Sequence, residues 1–386
     1  MKKLLLALGL AASFGLAQAQ SSVTVYGLLD VGVVNANNVG SANGSATSVL
    51  SSPMDTSRLG FTGREDLGGG SYSGFKLEAQ INPGDGSNGI SASTGATNAL
   101  FNRGANVFLG NNEYGRLTLG RQDNLSFEAF NYGDVNGGKN FGSSEVFFND
   151  GSSFGGASGA RTGIATLTGT TFLSNAIRYD SPKFAGFGFS GLYVASGTAG
   201  DGTFGNTAAS NRGIGALTYN QGPWAGAVSL ATANDGTGAA NSKITTVGGN
   251  YTFAGGHKIA AGWNNFQNPN STAANTNFNL YEVSGQYFVT SRFSTRVGYY
   301  DLQDRVNSNN GARMVSLVGQ YDFSKRTSVY VGVASMNNNG ASGFAPYGGG
   351  SANLNSMYSG TGSYPALMQT AGMVQNAVTT GLTVKF

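Results

Sequence analysis

The sequence predicts an all-β fold, a closed barrel of sixteen antiparallel strands that spans a membrane. Three observations carry this prediction: an export signal at the N-terminus, an alternating strand that ends the chain, and a regular alternation of tight turns with long loops. Beyond the export signal, no run approaches the roughly 18 consecutive apolar residues that a transmembrane helix needs. If the exported chain enters a membrane, it must therefore do so as strands.

The N-terminal segment, Met1 to Ala19, has the pattern of a secretory signal peptide. Lys2 and Lys3 form a short basic region, an apolar run follows over 4–10, and Ala-Gln-Ala at 17–19 is typical of a cleavage site. We expect cleavage after Ala19. Residues 20–386 then form one barrel domain, because no proline-rich or charged linker divides them.

The composition excludes several classes of protein. The chain has 62 glycines and no cysteine, so disulfides cannot stabilise an exported fold, whereas closure of a barrel can, because every backbone group then has a partner. Without Lys2 and Lys3, the 22 basic residues become 20, against 19 acidic ones. A nucleic-acid-binding protein normally has a basic excess, so we predict no nucleic-acid partner. We also predict no cofactor.

The C-terminal strand, 376–386, has one apolar face. Val378, Leu382, Val384 and Phe386 lie on that face, and Thr379, Thr383 and Lys385 are among the residues on the other. This length and this period of two are typical of a strand that crosses a bilayer with lipid on one side and water on the other.

Connections of two kinds alternate along the chain with little exception. Seven are tight, at 67–70, 111–115, 183–186, 220–223, 254–256, 290–292 and 324–326. Eight are long and rich in Gly, Asn, Ser and Thr, at 35–57, 83–101, 124–173, 197–210, 234–241, 267–277, 303–311 and 337–373. Fifteen connections imply sixteen strands, and this asymmetry is typical of outer-membrane barrels.

Alternation within strands does not by itself distinguish a membrane barrel from a soluble sandwich. The stretch 75–81 places Phe75 and Leu77 on one face and Lys76 and Glu78 on the other, as either fold would. Aromatic residues beside the tight turns favour the barrel, because girdles of aromatics lie at membrane interfaces. The simple preference of aromatics for strands is the alternative explanation.

Five motifs in order resemble the Gram-negative general porins, most closely the β-proteobacterial (neisserial and Burkholderiales-type) branch. They are Ser22 to Asp30, Ser57 to Asp66, Gly115 to Gln122, Asn175 to Pro182 and the terminal Phe386. The resemblance implies a homotrimer in the outer membrane, with short periplasmic turns, long external loops and a third loop, 124–173, folded into the lumen as a constriction. It implies passive diffusion of small hydrophilic solutes and ions. It also implies contact with outer-membrane lipid and lipopolysaccharide, and recognition of the C-terminal strand by the barrel assembly machinery with Phe386 as the signal.

By the same resemblance, a ladder of arginines on the barrel wall faces the constriction loop. The motif positions are Arg58, Arg121 and Arg178, with Lys76 and Arg103 as weaker candidates. Local patterning points Arg58 and Arg178 inward, but Arg121 shares a face with Leu117 and Leu119, so a bulge must intervene before it can line a pore. For each arginine, an ordinary surface ion pair is the alternative explanation.

The loop itself carries Glu128, Asp134, Lys139, Glu145 and Asp150. Without the resemblance, a mobile external loop would be the simpler interpretation. Charges of opposite sign across a narrow aqueous passage create a transverse field that selects ions by sign. We predict a channel with a modest preference for anions, because arginines stay charged at all relevant pH.

Other functions have weaker support in the sequence. The G-x-G-x-x-G match at 186–191 opens a strand and not a helix, and His257 is the one histidine in a chain without cysteine, which does not suit a typical zinc site or a triad. We therefore predict no enzyme. Weak calcium binding at 235–238 stays open. Two alternatives also remain: a substrate-specific channel of the same fold, and a surface adhesin-like β protein, for which the required short repeat is missing.

Overall fold

The computed structural model describes residues 22–39, 43–84, 86–87, 99–149, 171–194, 212–234, 240–268, 276–306, 308–340, 342–347 and 372–386. The predicted signal peptide, the part of the third loop over 150–170 and the patch at 235–238 lie outside these residues. The strands are β1 Ser22–Val39, β2 Gly44–Ser51, β3 Arg58–Gly68, β4 Ser71–Gln80, β5 Gly104–Asn111, β6 Gly115–Asp123, β7 Phe172–Asp180, β8 Phe187–Val194, β9 Arg212–Gln221, β10 Trp224–Asn234, β11 Ala240–Thr252, β12 Lys258–Asn268, β13 Thr276–Phe288, β14 Phe293–Asp304, β15 Gly311–Asp322, β16 Thr327–Asn339 and β17 Val374–Lys385.

These strands form one closed antiparallel sheet. Except for β2 and β3, consecutive strands pair with each other, and β17 pairs with β1 to close the ring, with Leu28 opposite Lys385. Both β2 and β3 pair with β1, β2 along its second half and β3 along its first. They are therefore two parts of one barrel strand that is interrupted at 52–57. Counted so, the barrel has sixteen strands, which confirms the predicted fold class.

The tight turns lie where the sequence predicts them, between β3 and β4 and then between every second pair of strands up to β15 and β16. The predicted long connection at 35–57 is wrong in part. There β1 and β2 pair as a hairpin up to Val39 and Gly44, and residues 52–57 leave the sheet. The sequence did not predict this hairpin because the segment is rich in Asn, Ser and Gly and lacks a clear apolar alternation. Its two strands are held together by backbone hydrogen bonds.

Strand residues alternate between an apolar outer face and an inner face. On β14, Val297 and Tyr299 are outward and exposed, at 51% and 47%, whereas Arg296 and Tyr300 face inward and are buried. Near the turns, Trp224 and Tyr251 on the neighbouring strand meet edge to face, with 4.6 Å between ring centroids. Outward aromatics at this level match the predicted interfacial girdle.

Two short helices follow β6, α1 (Leu125–Phe130) and α2 (Glu145–Asn149). Phe127 and Phe130 of α1 are buried with Phe147 and Phe148 of α2. The cluster also contains inward residues of the wall, such as Phe266 on β12. This apolar core therefore lies inside the barrel, between the third loop and the wall. In the described part of the chain, no helix is long and apolar enough to cross a membrane.

Candidate pore constriction

The third loop enters the lumen directly after β6. The side chain of Asn124 accepts a hydrogen bond from the backbone N–H of Ser126 at 2.9 Å and caps α1. The helix packs against β9, β10 and β11, and the Ser229 hydroxyl of β10 donates to that of Ser126 at 3.1 Å. The loop therefore starts at one wall and crosses to strands three to five positions further round the barrel.

Beyond α1, the loop follows the inner wall from β9 to β15. Asn250 of β11 donates to the Tyr132 carbonyl at 3.1 Å, and Ser284 of β13 accepts from the Val135 N–H at 2.8 Å. Near the end of this path, the Ser316 hydroxyl of β15 donates to the Gly142 carbonyl. Since each of these wall side chains faces inward, the described part of the third loop lies within the lumen, as the predicted fold requires.

Asp134 holds the middle of the third loop against the inner wall. Its carboxylate accepts hydrogen bonds from Tyr300 on β14 at 3.0 Å and from the N–H and hydroxyl of Ser144 at 2.9 Å each. The side chain is buried, so its charge serves to hold two turns of the loop against the wall. The predicted loop acid Asp134 does not reach the open part of the lumen.

The tip of the loop meets the strand break. The Lys139 ammonium lies 2.5 Å from the Asp55 carboxylate, and both side chains are about one-fifth exposed or less. Burial opposes the charge of Asp55, but the Lys139 ammonium outweighs it and holds the pKa of Asp55 below its usual range. Burial lowers the pKa of Lys139. The pair joins the third loop to the opposite side of the barrel.

Two neighbouring spaces lie along this side of the lumen, one between the loop and the wall and the other lined by wall residues alone. The loop-side space, about 300 Å³, lies between the tip at Lys139 and wall residues that include Gln80 and Asn102. The turn-side space, about 530 Å³, lies nearer the tight turns and is lined in part by Tyr26 and Lys385. Arg58 and Arg103 line both spaces. Because they share these two arginines, we refer to the two spaces together as the passage, which lies along the arc from β1 to β6.

Charged side chains line this passage unevenly. Five cations and four carboxylates belong to its described lining: Arg58, Lys76, Arg103, Lys139 and Lys385, against Asp55, Glu78, Asp123 and Glu145. Glu78 binds Arg103 at 2.7 Å and Lys76 at 3.6 Å, and Asp123 lies 3.7 Å from Lys76. No carboxylate in the described chain lies within 4.0 Å of Arg58 or Lys385. The passage therefore has two cations without an acidic partner.

Among the predicted wall residues, Arg58 and Lys76 line the passage, whereas Arg178 lies between the wall and the loop. The guanidinium of Arg178 makes a bidentate pair with Glu128 of α1, at 2.5 and 3.0 Å, and also binds Asp180 at 2.9 Å. Its side chain is only 12% exposed. This arrangement joins Arg178, a predicted wall residue, to Glu128, a predicted loop residue, and the pair anchors α1.

The bulge that the sequence requires at Arg121 is present. The pairing of β6 with β7 shifts between Gly120 and Gln122, and Gly120 has a φ of 117°, which favours glycine. Arg121 is 7% exposed and donates to the Asn102 carbonyl and the Ser174 hydroxyl, each at 2.6 Å. The bulge turns the guanidinium into the space behind the passage, so Arg121 is not among the lining residues.

Glu145 begins α2 and contributes to the loop-side space, although it is 4% exposed. The sequence reasoning did not select Asp55 or Lys385 and ranked Arg103 low. Asp55 lay in a predicted external loop, and Lys385 follows the strand pattern inward but belongs to no charged motif. The available signal was the alternation along β17, the strand that closes the barrel, which directs Lys385 inward.

Phe386 completes the barrel wall. Its backbone exchanges two hydrogen bonds of 3.0 Å with Gly27 on β1. A Cβ at Gly27 would lie 2.3 Å from the Phe386 ring, so glycine is required for the ring to rest on the outer surface of β1. The terminal residue therefore closes the seam between the first and last strands.

A closed barrel of sixteen strands with an apolar outer wall and a charged passage narrowed by an internal loop defines an outer-membrane channel of the porin type. A family model for Gram-negative porins matches residues 5–341, and the chain belongs to this family. It is an outer-membrane porin of a Gram-negative bacterium, with a channel for the passive diffusion of small hydrophilic solutes.

Relatives agree with this assignment over most of their length. Outer membrane porin protein 32 of Delftia acidovorans is 29% identical over 354 residues, which are 89% of this chain and 91% of the relative. Major outer membrane protein P.IB of Neisseria meningitidis is 26% identical, over 86% and 92%. Among solved structures, the anion-selective porin from Comamonas acidovorans superposes with a TM-score of 0.74 at 24% identity, over 95% of this chain and 100% of that one.

Proposed function

We propose that the passage along β1 to β6 is the constriction of a general diffusion channel with a modest preference for anions. The observation that carries the proposal concerns ion pairs among the charged residues that line the passage: some of its cations have no acidic partner. Asp55, Glu78 and Asp123 each lie beside a cation, whereas Arg58 and Lys385 have no carboxylate within 4.0 Å in the described chain. A solved porin of similar fold that is described as anion-selective supports a preference for anions over cations.

The mechanism is electrostatic and steric. A permeating ion passes between a wall that carries Arg58 and Arg103 and a loop tip at which Lys139 is neutralised by Asp55. Charges act strongly on an ion in such a passage because water there is confined by low-dielectric walls. The unpaired cations raise the local concentration of anions, and the loop limits the size of the solute. No bond is made or broken, so the function requires no catalytic group and no cofactor.

Reversal potentials in planar bilayers under a salt gradient test the proposed selectivity. The reversal potential of the purified mature protein should lie towards the equilibrium potential of the anion. A potential on the cation side would overturn the proposed preference while leaving the channel in place. Saturable flux of a single solute class in vesicles would favour a substrate-specific channel instead of a general one.

We also propose that the mature chain begins after a cleaved signal peptide and assembles as a homotrimer. The signal pattern over 1–19 and the family membership support the two proposals. N-terminal sequencing of the exported protein tests cleavage after Ala19. A mobility shift on a native gel after heating tests the trimer, and a single band with the mass of one chain before and after heating would contradict it.

The assembly machinery and outer-membrane lipid, including lipopolysaccharide, are the remaining proposed partners. The outward seam formed by Phe386 and β17 supports recognition of the C-terminal strand during assembly. The outer wall supports a lipid contact: Val315 and Leu317 of β15 are 51% exposed, and Arg313 lies beyond them towards the loops. The aliphatic band suits lipid acyl chains, and the pair of Arg313 with Asp301 above it, at 3.0 Å, offers polar partners to a headgroup.

A further inference from the structure

The residues that interrupt the second barrel strand, 52–57, fold into the lumen instead of continuing the wall. We call them the strand-break segment. Ser52, Met54 and Ser57 are almost fully buried, at 2%, 1% and 0% exposure. Buried backbone polar groups need partners, and Asp30, an inward residue of β1, supplies several of them.

The carboxylate of Asp30 binds the strand-break segment directly. One oxygen accepts hydrogen bonds from the backbone N–H groups of Met54 at 2.7 Å and Asp55 at 2.6 Å, and the other accepts from the Tyr330 hydroxyl of β16 at 2.8 Å. Asp30 is fully buried, and no ion pair involves it in the described chain. Its charge is therefore stabilised by hydrogen bonds alone. Hydrogen bonds to a charged carboxylate are shorter and stronger than those between neutral groups.

The backbone of Asp30 holds both ends of the same segment. Its carbonyl accepts from the Ser52 N–H at 2.7 Å, and its N–H donates to the Ser57 hydroxyl at 2.8 Å. Ser52 has a φ of 63°, in the left-handed region that costs a residue other than glycine about 1 kcal/mol or more. The segment thus has a constrained shape that Asp30 maintains from one side.

The other side of the segment holds the tip of the third loop. The Asn140 N–H donates to the Met54 carbonyl at 2.8 Å, and the Asn140 side chain donates to the Ser52 carbonyl at 2.6 Å. The ion pair of Lys139 with Asp55 lies beside these contacts. These contacts of Lys139 and Asn140 therefore reach the barrel through Ser52, Met54 and Asp55, which Asp30 holds by hydrogen bonds.

We propose that Asp30, which is not among the lining residues of the passage, is a positioning residue that fixes the constriction through the strand-break segment. The inference rests on the proposed constriction at this passage. Asp30 anchors the segment to β1 and β16, the segment holds Lys139 and Asn140, and this contact sets the distance between the loop tip and Arg58. Loss of the carboxylate should leave the barrel closed but let the loop tip move relative to the wall.

Single-channel recording of Asp30→Asn tests this assignment. The amide can still accept from the two backbone N–H groups through its oxygen, with its NH₂ group towards the Tyr330 hydroxyl, but its hydrogen bonds are then neutral and weaker. A loss of about 1.4 kcal/mol raises the occupancy of displaced loop positions about tenfold. We expect brief subconductance levels with about tenfold greater occupancy than in the wild type. Heat-modifiable mobility on a gel shows whether the barrel has folded. Asp301→Asn is the matched control, because Asp301 faces outward and binds Arg313 at 3.0 Å.

A second variant and a rescue make the test independent of folding in Asp30→Asn. Asn140→Ala removes the bond from the loop side and leaves the Asp30 network intact, so it should reproduce the subconductance levels. The chain has no cysteine, which permits a clean cross-link: Thr56 and Asn140 have side-chain oxygens 3.4 Å apart. In the Asp30→Asn background, an oxidised T56C/N140C pair should restore the steady wild-type current, and reduction should abolish the rescue.

The results separate this inference from the proposed function. A wild-type protein without stepwise conductance would contradict the channel itself. A steady wild-type channel together with equally steady currents in Asn140→Ala would overturn the role of the strand-break segment. Subconductance levels of equal occupancy in Asp301→Asn would also overturn it, because a change on the outer face cannot act through the loop tip.

Discussion

Replacement of Arg58 by serine should shift the selectivity of the channel towards cations by about fivefold. Arg58 lines both spaces and has no carboxylate within 4.0 Å in the described chain, so no contact ion pair neutralises the charge that it presents to a permeating ion. A space of about 300 Å³ places such an ion roughly 5 Å from the guanidinium. At that distance the interaction is about 0.8 kcal/mol with the dielectric constant of bulk water, and about 0.5 kcal/mol with the screening of 0.1 M salt, which is the lower bound for a passage with low-dielectric walls.

The substitution removes an attraction for anions and a repulsion of cations, each of about 0.5 kcal/mol. The ratio of anion to cation permeability therefore changes by about 1 kcal/mol, or roughly fivefold. The assay is the reversal potential across a planar bilayer with a salt gradient. Arg313→Ser is the matched control, because Arg313 is 58% exposed on the outer face and should leave the potential unchanged. Equal potentials for Arg58→Ser and the wild type would refute the assignment of Arg58 to the constriction.

Three further substitutions test separate parts of the structure. Lys139→Gln leaves the carboxylate of Asp55 unpaired beside the passage, so the reversal potential should move towards cations, and a shift towards anions would contradict the pairing. Glu128→Gln removes an acid from the anchor of α1 while its arginine stays, so the potential should move towards anions; an unchanged potential would place this anchor beyond the reach of permeating ions. Gly27→Ala forces a Cβ into the C-terminal ring and should destabilise the barrel by about 1–3 kcal/mol in thermal unfolding. In Gly215→Ala the added Cβ meets no atom within 4 Å, so an equal loss of stability there would contradict the argument from close packing.

The sequence predicted the barrel because its two governing signals are local. A period of two places lipid-facing residues on alternate positions, and the turns carry glycine, proline and asparagine where the chain reverses. The predicted tight turns were confirmed for this reason. The hairpin formed by β1 and β2 was missed because its polar residues extend beyond the apolar band, where backbone pairing alone maintains the strands.

The site was predictable only where a residue's orientation follows from its own strand. Arg58 lies inward as the alternation indicates, and the bulge that Arg121 requires is present. The bulge buries Arg121 behind the passage, which no local pattern could reveal. The pairing of Lys139 with Asp55 joins residues 84 positions apart through two segments that leave the regular sheet. Such a contact depends on the packing of the whole lumen, and one sequence contains no periodic signal for it.

Chemical modification of a cysteine placed at Arg58 tests the central claim most directly, because the native chain contains no cysteine. An anionic thiol reagent added to a single open channel of Arg58→Cys should react and lower the conductance in one step per subunit. Arg313→Cys, on the outer face of the same barrel, should show no step. An Arg58→Cys channel whose current is unaffected by the reagent would contradict an aqueous passage between this wall and the third loop.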